Sequence, residues 1–350
     1  MYNLDAFYET ISIWFRESFH AYKPAVIYPY PFGSEDPDHI VFDSDYEFPD
    51  TVLLLYDQEP IRSTNKWLDH WAPTLQEWGC RVILISSQIS GGGISHYIEK
   101  YNWDMVVYQH HWLASRDWFR SYMGNPFLQD VTDRKLEHLF SCYNRLFSHE
   151  KPHRVKLLAD FYDNNLLDKV SISFPSTDPF EQITYADITG RQDIQDILPL
   201  IVDDPLHTNG SSSIDVKSAN TTGVQIVTET IFDTDAVGYI TEKSFKPFVL
   251  KQPFVMFAPA YTLATLKDMG FQTFDSYWDE SYDLIEDAEL RYNSAWNTVK
   301  EISNWDLQQL QSNIQNMQPL LDFNYDRFYW YIPLEELINN LFSEIKYRFP

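Results

Sequence analysis

A carboxylate and an ammonium group stand side by side at Glu242 and Lys243, within the run Tyr239-Ile-Thr-Glu-Lys-Ser-Phe-Lys-Pro-Phe248. Residues 224–232 upstream are β-branched and apolar, and residues 251–259 form a second such run, so the order reads strand, short helix, strand. In a parallel sheet the mouth of such a helix lies at the carboxyl edge of the strands, where unpaired N–H groups and the helix dipole favour phosphate. Lys243 adds a full positive charge there, and Lys246, three residues on, shares its face. Pro247 leaves two helix starts open: Ser244 as N-cap with Pro247 in the tolerated first turn, or Thr241 with a kink further on. The plainer alternative is a solvated first turn, in which Glu242 complements the dipole and Lys243 points at water.

Asp57-Gln-Glu-Pro60 follows the apolar run 51–56, which puts its carboxylates at a carboxyl edge as well. Glu59 is the candidate general base, since a carboxylate is needed to take the proton of an attacking hydroxyl, and Asp57 is the reserve. Glu59 would equally serve as the cap of a helix after Pro60. Asn144, Arg145 and Arg154 end a strand and open a helix, and guanidinium groups hold phosphate oxygens in bidentate fashion. For Arg145 taken alone, pairing with the abundant carboxylates is the better reading. Gly91-Gly-Gly93 has neither spacing of a phosphate loop and reads as a flexible turn, with His96 nearby as a weak proton carrier. His110 and His111 are adjacent, diverge, and make a poor metal pair; they are expected to line the surface between domains. Asp233-Thr-Asp235 and Asp43-Ser-Asp45 have the Asp-x-Asp form that holds a divalent ion on a sugar diphosphate, but 51 acidic residues produce such pairs by chance.

The Thr241-Glu-Lys block with Glu229 upstream resembles the donor-binding motif of α-1,3-fucosyltransferases and their relatives among the GT-B glycosyltransferases. The resemblance implies Glu242 on the ribose and Lys243 on the pyrophosphate of a sugar nucleotide, with Glu229 close to the sugar or base. Two departures stand out: the step from Glu229 to Thr241 is longer than in that family, and Gly238 replaces an Asp. A wider pattern is similar to glycosyltransferase-like proteins of large tailed bacteriophages. It comprises Tyr56-Asp-Gln-Glu-Pro60, Cys142-Tyr-Asn-Arg145 with His153-Arg154, the block at 241–248, Gly270-Phe-Gln-Thr-Phe274 and Asp279-Glu-Ser-Tyr-Asp283.

The elements that must position these residues follow from periodicity. Leu4, Phe7, Ile11, Trp14 and Phe15 recur at helical spacing over residues 4–20. Residues 25–28, 51–56, 81–85 and 105–108 are short apolar runs separated by helix-compatible segments, the pattern of buried parallel strands. Residues 139–143 open a second set, with a helix at 153–167, a strand at 170–174 and a helix at 194–202. The polar stretch 203–222 is expected to be an exposed loop, and helices are expected at 284–302, 307–321 and 334–346. The fold class is thus α/β, with two Rossmann-like domains facing across a cleft. The expected division is 1–135 for an acceptor-side domain, 136–325 for a nucleotide-sugar domain, and 326–350 for a helix packing back on the first.

At 350 residues the chain is long enough for two cores. Its 23 Tyr and 24 Phe suit aromatic cores and ring-lined clefts. The net charge of −25 argues against nucleic acid and anionic membrane, while the cations from Arg134 to Arg154 suggest a local positive site. Cys80 and Cys142 read as reduced core residues, and no secretory or membrane segment is visible, so the cytoplasm of a bacterium or infected bacterial host is expected. The combined reading is an inverting glycosyltransferase of hexosyl or fucosyl type. It would need neither metal nor bound cofactor, and would move a sugar from a GDP- or UDP-linked donor to a hydroxyl acceptor such as a glycan. The alternatives are a non-catalytic nucleotide- or glycan-binding relative and a phage DNA-base glycosyltransferase.

Overall fold

The computed structural model describes residues 4–30, 34–62, 64–201, 212–233, 236–330 and 334–348. The chain divides into two compact units, one drawn from Met1–Asp117, Thr234–Ile240 and Ile332–Pro350, the other from Trp118–Asp233 and Thr241–Tyr331.

The first unit is built on strands β1 (Pro24–Pro29), β2 (Ile40–Ser44), β3 (Thr51–Leu55), β4 (Arg81–Ser86) and β5 (Asp104–Val107), in the order β2-β1-β3-β4-β5. β2 runs antiparallel to β1 at one edge; the other pairings are parallel. The side chains alternate between two apolar layers, as the period of a strand requires. Val26, Leu53, Leu55, Ile83 and Ile85 meet Phe7, Tyr8, Ile11 and Phe15 of the helix Leu4–Ser18, together with Ile338, Leu341 and Ile345 of the helix Leu334–Arg348. Ala25, Ile27, Val52, Leu54, Val82 and Leu84 meet Trp67, Leu68, Ala72 and Leu75 of Lys66–Glu77 and Ile94 and Tyr97 of Gly92–Tyr101. Each large apolar side chain so buried contributes roughly 1.5–3 kcal/mol of transfer free energy. Both layers leave the carboxyl edge of β3, β4 and β5 to loops.

The second unit carries β6 (His138–Tyr143), β7 (Val170–Ser173), β8 (Thr222–Thr228) and β9 (Phe254–Phe257), all parallel, in the order β7-β6-β8-β9. The chain moves outward from β6 to β7 and then returns to the other side of β6 with β8. The strand order therefore reverses between β6 and β8, the place where ligands bind in open α/β sheets. Helix Pro152–Asp163 follows β6 and helix Glu242–Leu250 follows β8, so both begin beside this switch point. Helix Leu307–Trp330 covers β8 closely, and a Cβ at Gly223 would stand 2.3 Å from Cδ2 of Leu310. Two Rossmann-like α/β units in one chain are consistent with the GT-B architecture.

Several expectations are corrected. The helix expected at 194–202 is not continuous over the described residues 194–201, Val202 lying outside them: helix Gln192–Gln195 ends early and Leu200 bridges Phe174 as an antiparallel pair, because Pro199 follows the apolar residues that would have continued the turn. The polar stretch 203–222 is not uniformly a loop; residues 203–211 lie outside the described residues, Val216–Ala219 is a helical turn capped by Asp215, and Thr222 opens β8. Strand β8 stops at Thr228 rather than 232, and the helix expected at 307–321 continues to Trp330. Of the two starts open for the Lys243 helix, Thr241 is the N-cap and Pro247 lies inside the helix. Cys142 is buried and Cys80 is half-buried.

Candidate functional site

In the second unit the anchor is Glu229, at the end of β8 and fully buried. Its Oε1 accepts from the Thr241 amide at 3.1 Å and the Ser244 hydroxyl at 2.5 Å. Its Oε2 accepts from the Thr241 hydroxyl at 2.6 Å and the Thr230 amide at 3.1 Å. Four donors thus fold the chain back so that helix Glu242–Leu250 starts directly beside β8. The ammonium of Lys243 donates to Glu242 at 2.8 Å and to the Thr230 hydroxyl at 3.1 Å, and its side chain remains 29% exposed. Glu242 itself is buried, and Lys246, one turn further, is half-buried.

The segment after β6 closes on the same point. Arg154 is buried and donates to three backbone carbonyls: Leu146 at 3.0 Å, Thr228 at 3.2 Å and Glu229 at 3.1 Å. Burial pulls its guanidinium below its ordinary range. His153 donates from Nε2 to the Glu229 carbonyl at 3.0 Å, which leaves Nδ1 as an acceptor with no partner, as Arg154 Nε is a donor with none. Burial, then the neighbouring Arg154 charge, holds His153 neutral, well below the usual histidine range. Asn144 is buried and takes the Thr228 hydroxyl on Oδ1 at 2.6 Å; Arg145 beside it is half-buried. Asn144, Arg154, Glu229, Thr241, Glu242 and Lys243 are therefore linked through the ends of β6 and β8. Arg134 is not part of this group, because its guanidinium caps the carboxyl end of helix Glu242–Leu250 at the Leu250 and Lys251 carbonyls.

In the first unit the turn after β3 is held from all sides. The Asp57 carboxylate, 3% exposed, accepts from the Tyr8 hydroxyl at 2.7 Å and lies 3.2 Å from Nδ1 of His110. Burial, and next the Asp57 charge, push the Tyr8 hydroxyl well above its ordinary value. The Ser87 hydroxyl donates to the Asp57 carbonyl at 2.5 Å, and the Gln88 side chain accepts the Ile61 amide at 3.0 Å. The Gln58 carbonyl takes the Tyr239 hydroxyl at 2.7 Å and lies 3.0 Å from Nε2 of His111. Glu59 is exposed. No helix starts at Pro60; the next begins at Lys66 with Asn65 as its cap.

His110 and His111 are both buried. Gly91-Gly-Gly93 is the start of helix Gly92–Tyr101, and Gly93 lies against the Ile61 and Arg62 backbone, where a Cβ would stand 2.1 Å from the Ile61 carbonyl oxygen. Of the three glycines, Gly93 is set by packing and Gly91 is the N-cap at a φ of 136°, and His96 is exposed. Sequence reasoning misses Tyr8, Ser87, Gln88 and His110 as partners of this turn, and misses Ser244 as a donor to Glu229 and Thr230 as a partner of Lys243. Ser87 and Gln88 carry a signal, since they follow a buried strand as Asp57 does; Tyr8 carries none.

Among the described residues no group of three His, Cys, Asp or Glu side chains is placed to hold a metal ion. Asp43 and Asp45 pair with Arg16, and Asp235 lies outside the described residues. Among the described residues no helix is long and apolar enough to cross a membrane. A cavity of about 280 Å³ beside the start of helix Pro152–Asp163, lined by Ser148, Val155, Tyr185 and Arg191, contains none of the candidate residues.

No protein-family profile matches the chain, and no curated protein matches it. Among solved structures, a glycosyltransferase from Rickettsia africae ESF-5 is similar at 10% identity with a TM-score of 0.33, over 79% of this chain and 70% of that one.

Proposed function

We propose that the chain is a glycosyltransferase that moves a sugar from a nucleoside diphosphate donor to a hydroxyl acceptor. The observation that carries this reading is the convergence of Glu229, Thr241 and Lys243 at the strand-order reversal of the second unit. A helix mouth, a partly exposed ammonium and the half-buried Arg145 and Lys246 supply the charge that a departing diphosphate needs. In this reading Lys243, Arg145 and Lys246 meet the phosphates, Glu242 meets the ribose, and Thr241, Asn144, Arg154 and Glu229 hold the backbone that presents them. These cations take the electrostatic role that a divalent ion fills elsewhere, which favours metal-independent transfer.

Glu59 is the base. It is exposed on a turn whose backbone is fixed, whereas the Asp57 carboxylate is buried away from any acceptor. Glu59 would take the acceptor proton as the acceptor oxygen bonds to the anomeric carbon, while the carbon–phosphate oxygen bond breaks and its electrons pass to the diphosphate. Attack from the face opposite the leaving group gives inversion.

The test is calorimetry with UDP, GDP, TDP and CMP, each in EDTA and in Mn2+. The expected result is tight binding of UDP or GDP in EDTA, weakened about tenfold or more by Lys243→Ala, a loss of at least ~1.4 kcal/mol. Binding that requires Mn2+ would overturn the metal-independent part, and binding of none of the four would overturn the donor site. Binding without transfer would identify a non-catalytic relative.

A further inference from the structure

We propose that Tyr239 is a positioning residue for the turn that carries Glu59, an inference that rests on Glu59 being the base. Tyr239 stands two residues before Thr241 in the chain, yet its ring packs within the first unit and is 1% exposed. The segment leading to it is anchored there: the Ile89 amide donates to the Val237 carbonyl at 3.1 Å, and the Val237 amide donates to the Ser90 carbonyl at 3.0 Å. From this anchor the Tyr239 hydroxyl donates to the Gln58 carbonyl at 2.7 Å. Nε2 of His111 lies 3.0 Å from both that carbonyl and the Tyr239 oxygen, with the two rings edge to face at 84°.

The consequence follows from peptide planarity. The Gln58 carbonyl oxygen lies in the same rigid plane as the Glu59 nitrogen and Cα. Fixing that oxygen fixes the plane, and with it the position from which the Glu59 side chain departs. The preceding plane is fixed in the same way, by the Ser87 hydroxyl on the Asp57 carbonyl. Both peptide units before Glu59 are therefore held by side chains, and Tyr239 holds the nearer one. The Tyr239-Ile-Thr-Glu-Lys run is thereby divided in its work: Thr241 to Lys243 serve the donor region, and Tyr239 orients the proton acceptor.

Tyr239→Phe keeps the buried ring and removes the hydroxyl. The expected result is a fall in kcat of about 10–100-fold, the scale on which a small misplacement of a reacting group acts. KM for the donor and nucleotide affinity should stay within about twofold of the parent, because the donor residues are untouched. Adding Glu59→Gln to Tyr239→Phe should cost much less than Glu59→Gln costs alone, since a misplaced base has less to lose. Hydrogen exchange of the Ile61 amide, which depends on the same turn, should quicken by more than the global stability lost with the Tyr239 hydrogen bond accounts for. His111→Asn, which removes the other donor near this carbonyl, should repeat the pattern and serves if the Phe variant folds poorly. An unchanged kcat, or losses that simply multiply, would overturn the proposal. If Glu59→Gln itself transfers at the parental rate, the base assignment fails instead, and an Ile61 exchange rate unaltered by Tyr239→Phe would then refute the positioning role separately.

Discussion

At the scale of single residues, Glu229 shows how a carboxylate at a candidate site can be structural in action. Each of its oxygens takes one backbone N–H and one hydroxyl: Thr241 N–H and Ser244 O–H on one, Thr230 N–H and Thr241 O–H on the other. Hydroxyls can rotate to accept, but amides cannot. In Glu229→Gln, whichever way the new amide is turned, its NH2 faces one backbone N–H in a fully buried place. The expected cost is about 1–3 kcal/mol, the penalty for an unsatisfied buried donor, read from urea unfolding. Equal stability of variant and parent would show that the carboxylate does not hold this turn. The strand and capped helix on either side of Thr241 were legible in the sequence because an apolar run followed by Thr-Glu-Lys has a local physical meaning. Its buried counterpart, Tyr8 on Asp57, was not legible, because the two are 49 residues apart and a Tyr at helical spacing signals only a core face.

At the scale of elements, the close approach of the helix Gly92–Tyr101 to the turn after β3 sets a sharp steric limit. A Cβ on Gly93 would lie 2.1 Å from the Ile61 oxygen and 2.5 Å from the Arg62 carbonyl carbon, both backbone atoms that cannot swing aside. Gly93→Ala should therefore lower stability by about 1–3 kcal/mol, the usual range for overpacking, and should displace the 61–62 backbone. A urea midpoint like the parent's would contradict that packing. The apolar runs of β1, β3, β4 and β5 were readable as strands because burial on both faces leaves continuous hydrophobic residues. β2 was not, since it is an edge strand with Asp43 and Ser44 among its five residues, and its partners are supplied by β1 alone. Residues 194–201 misled in the opposite direction: of the apolar residues at helical spacing, Leu200 is used for a short antiparallel bridge to Phe174. Local pattern carries period and burial, but not which distant segment will arrive to complete a pair.

At the scale of the whole molecule, the balance of charge makes pH the informative variable. The net charge of −25 opposes compaction, and about 0.15 M salt screens it beyond roughly 8 Å, so measurements there isolate buried groups. Burial lifts Glu280 to about 7, although Thr273 and Phe274 donate to its carboxylate at 2.5 and 2.8 Å. Asp283, buried at the start of the helix Thr262–Asp268, is raised for the same reason. A carboxyl raised in the folded state binds its proton there at pH values where the unfolded chain has released it. Its contribution to stability is thus complete below the unfolded value of 4.5 and is lost as pH rises through about 7. His153 acts in the opposite sense: buried neutral, it contributes fully above the unfolded histidine value of 6.5 and loses that contribution on acidification. Between about pH 6.5 and 8 the Glu280 effect should prevail, and below 6.5 the two should oppose each other. The parent protein should therefore lose stability from pH 6.5 to 8, and Glu280→Gln, which cannot ionise, should lose less. The full Glu280 effect between pH 4.5 and 8 is on the order of 2–3 kcal/mol, since each tenfold difference in proton affinity between folded and unfolded chain is worth about 1.4 kcal/mol. Parallel pH profiles for parent and variant, from urea unfolding at fixed salt, would show that Glu280 ionises in the folded protein as it does in the unfolded chain.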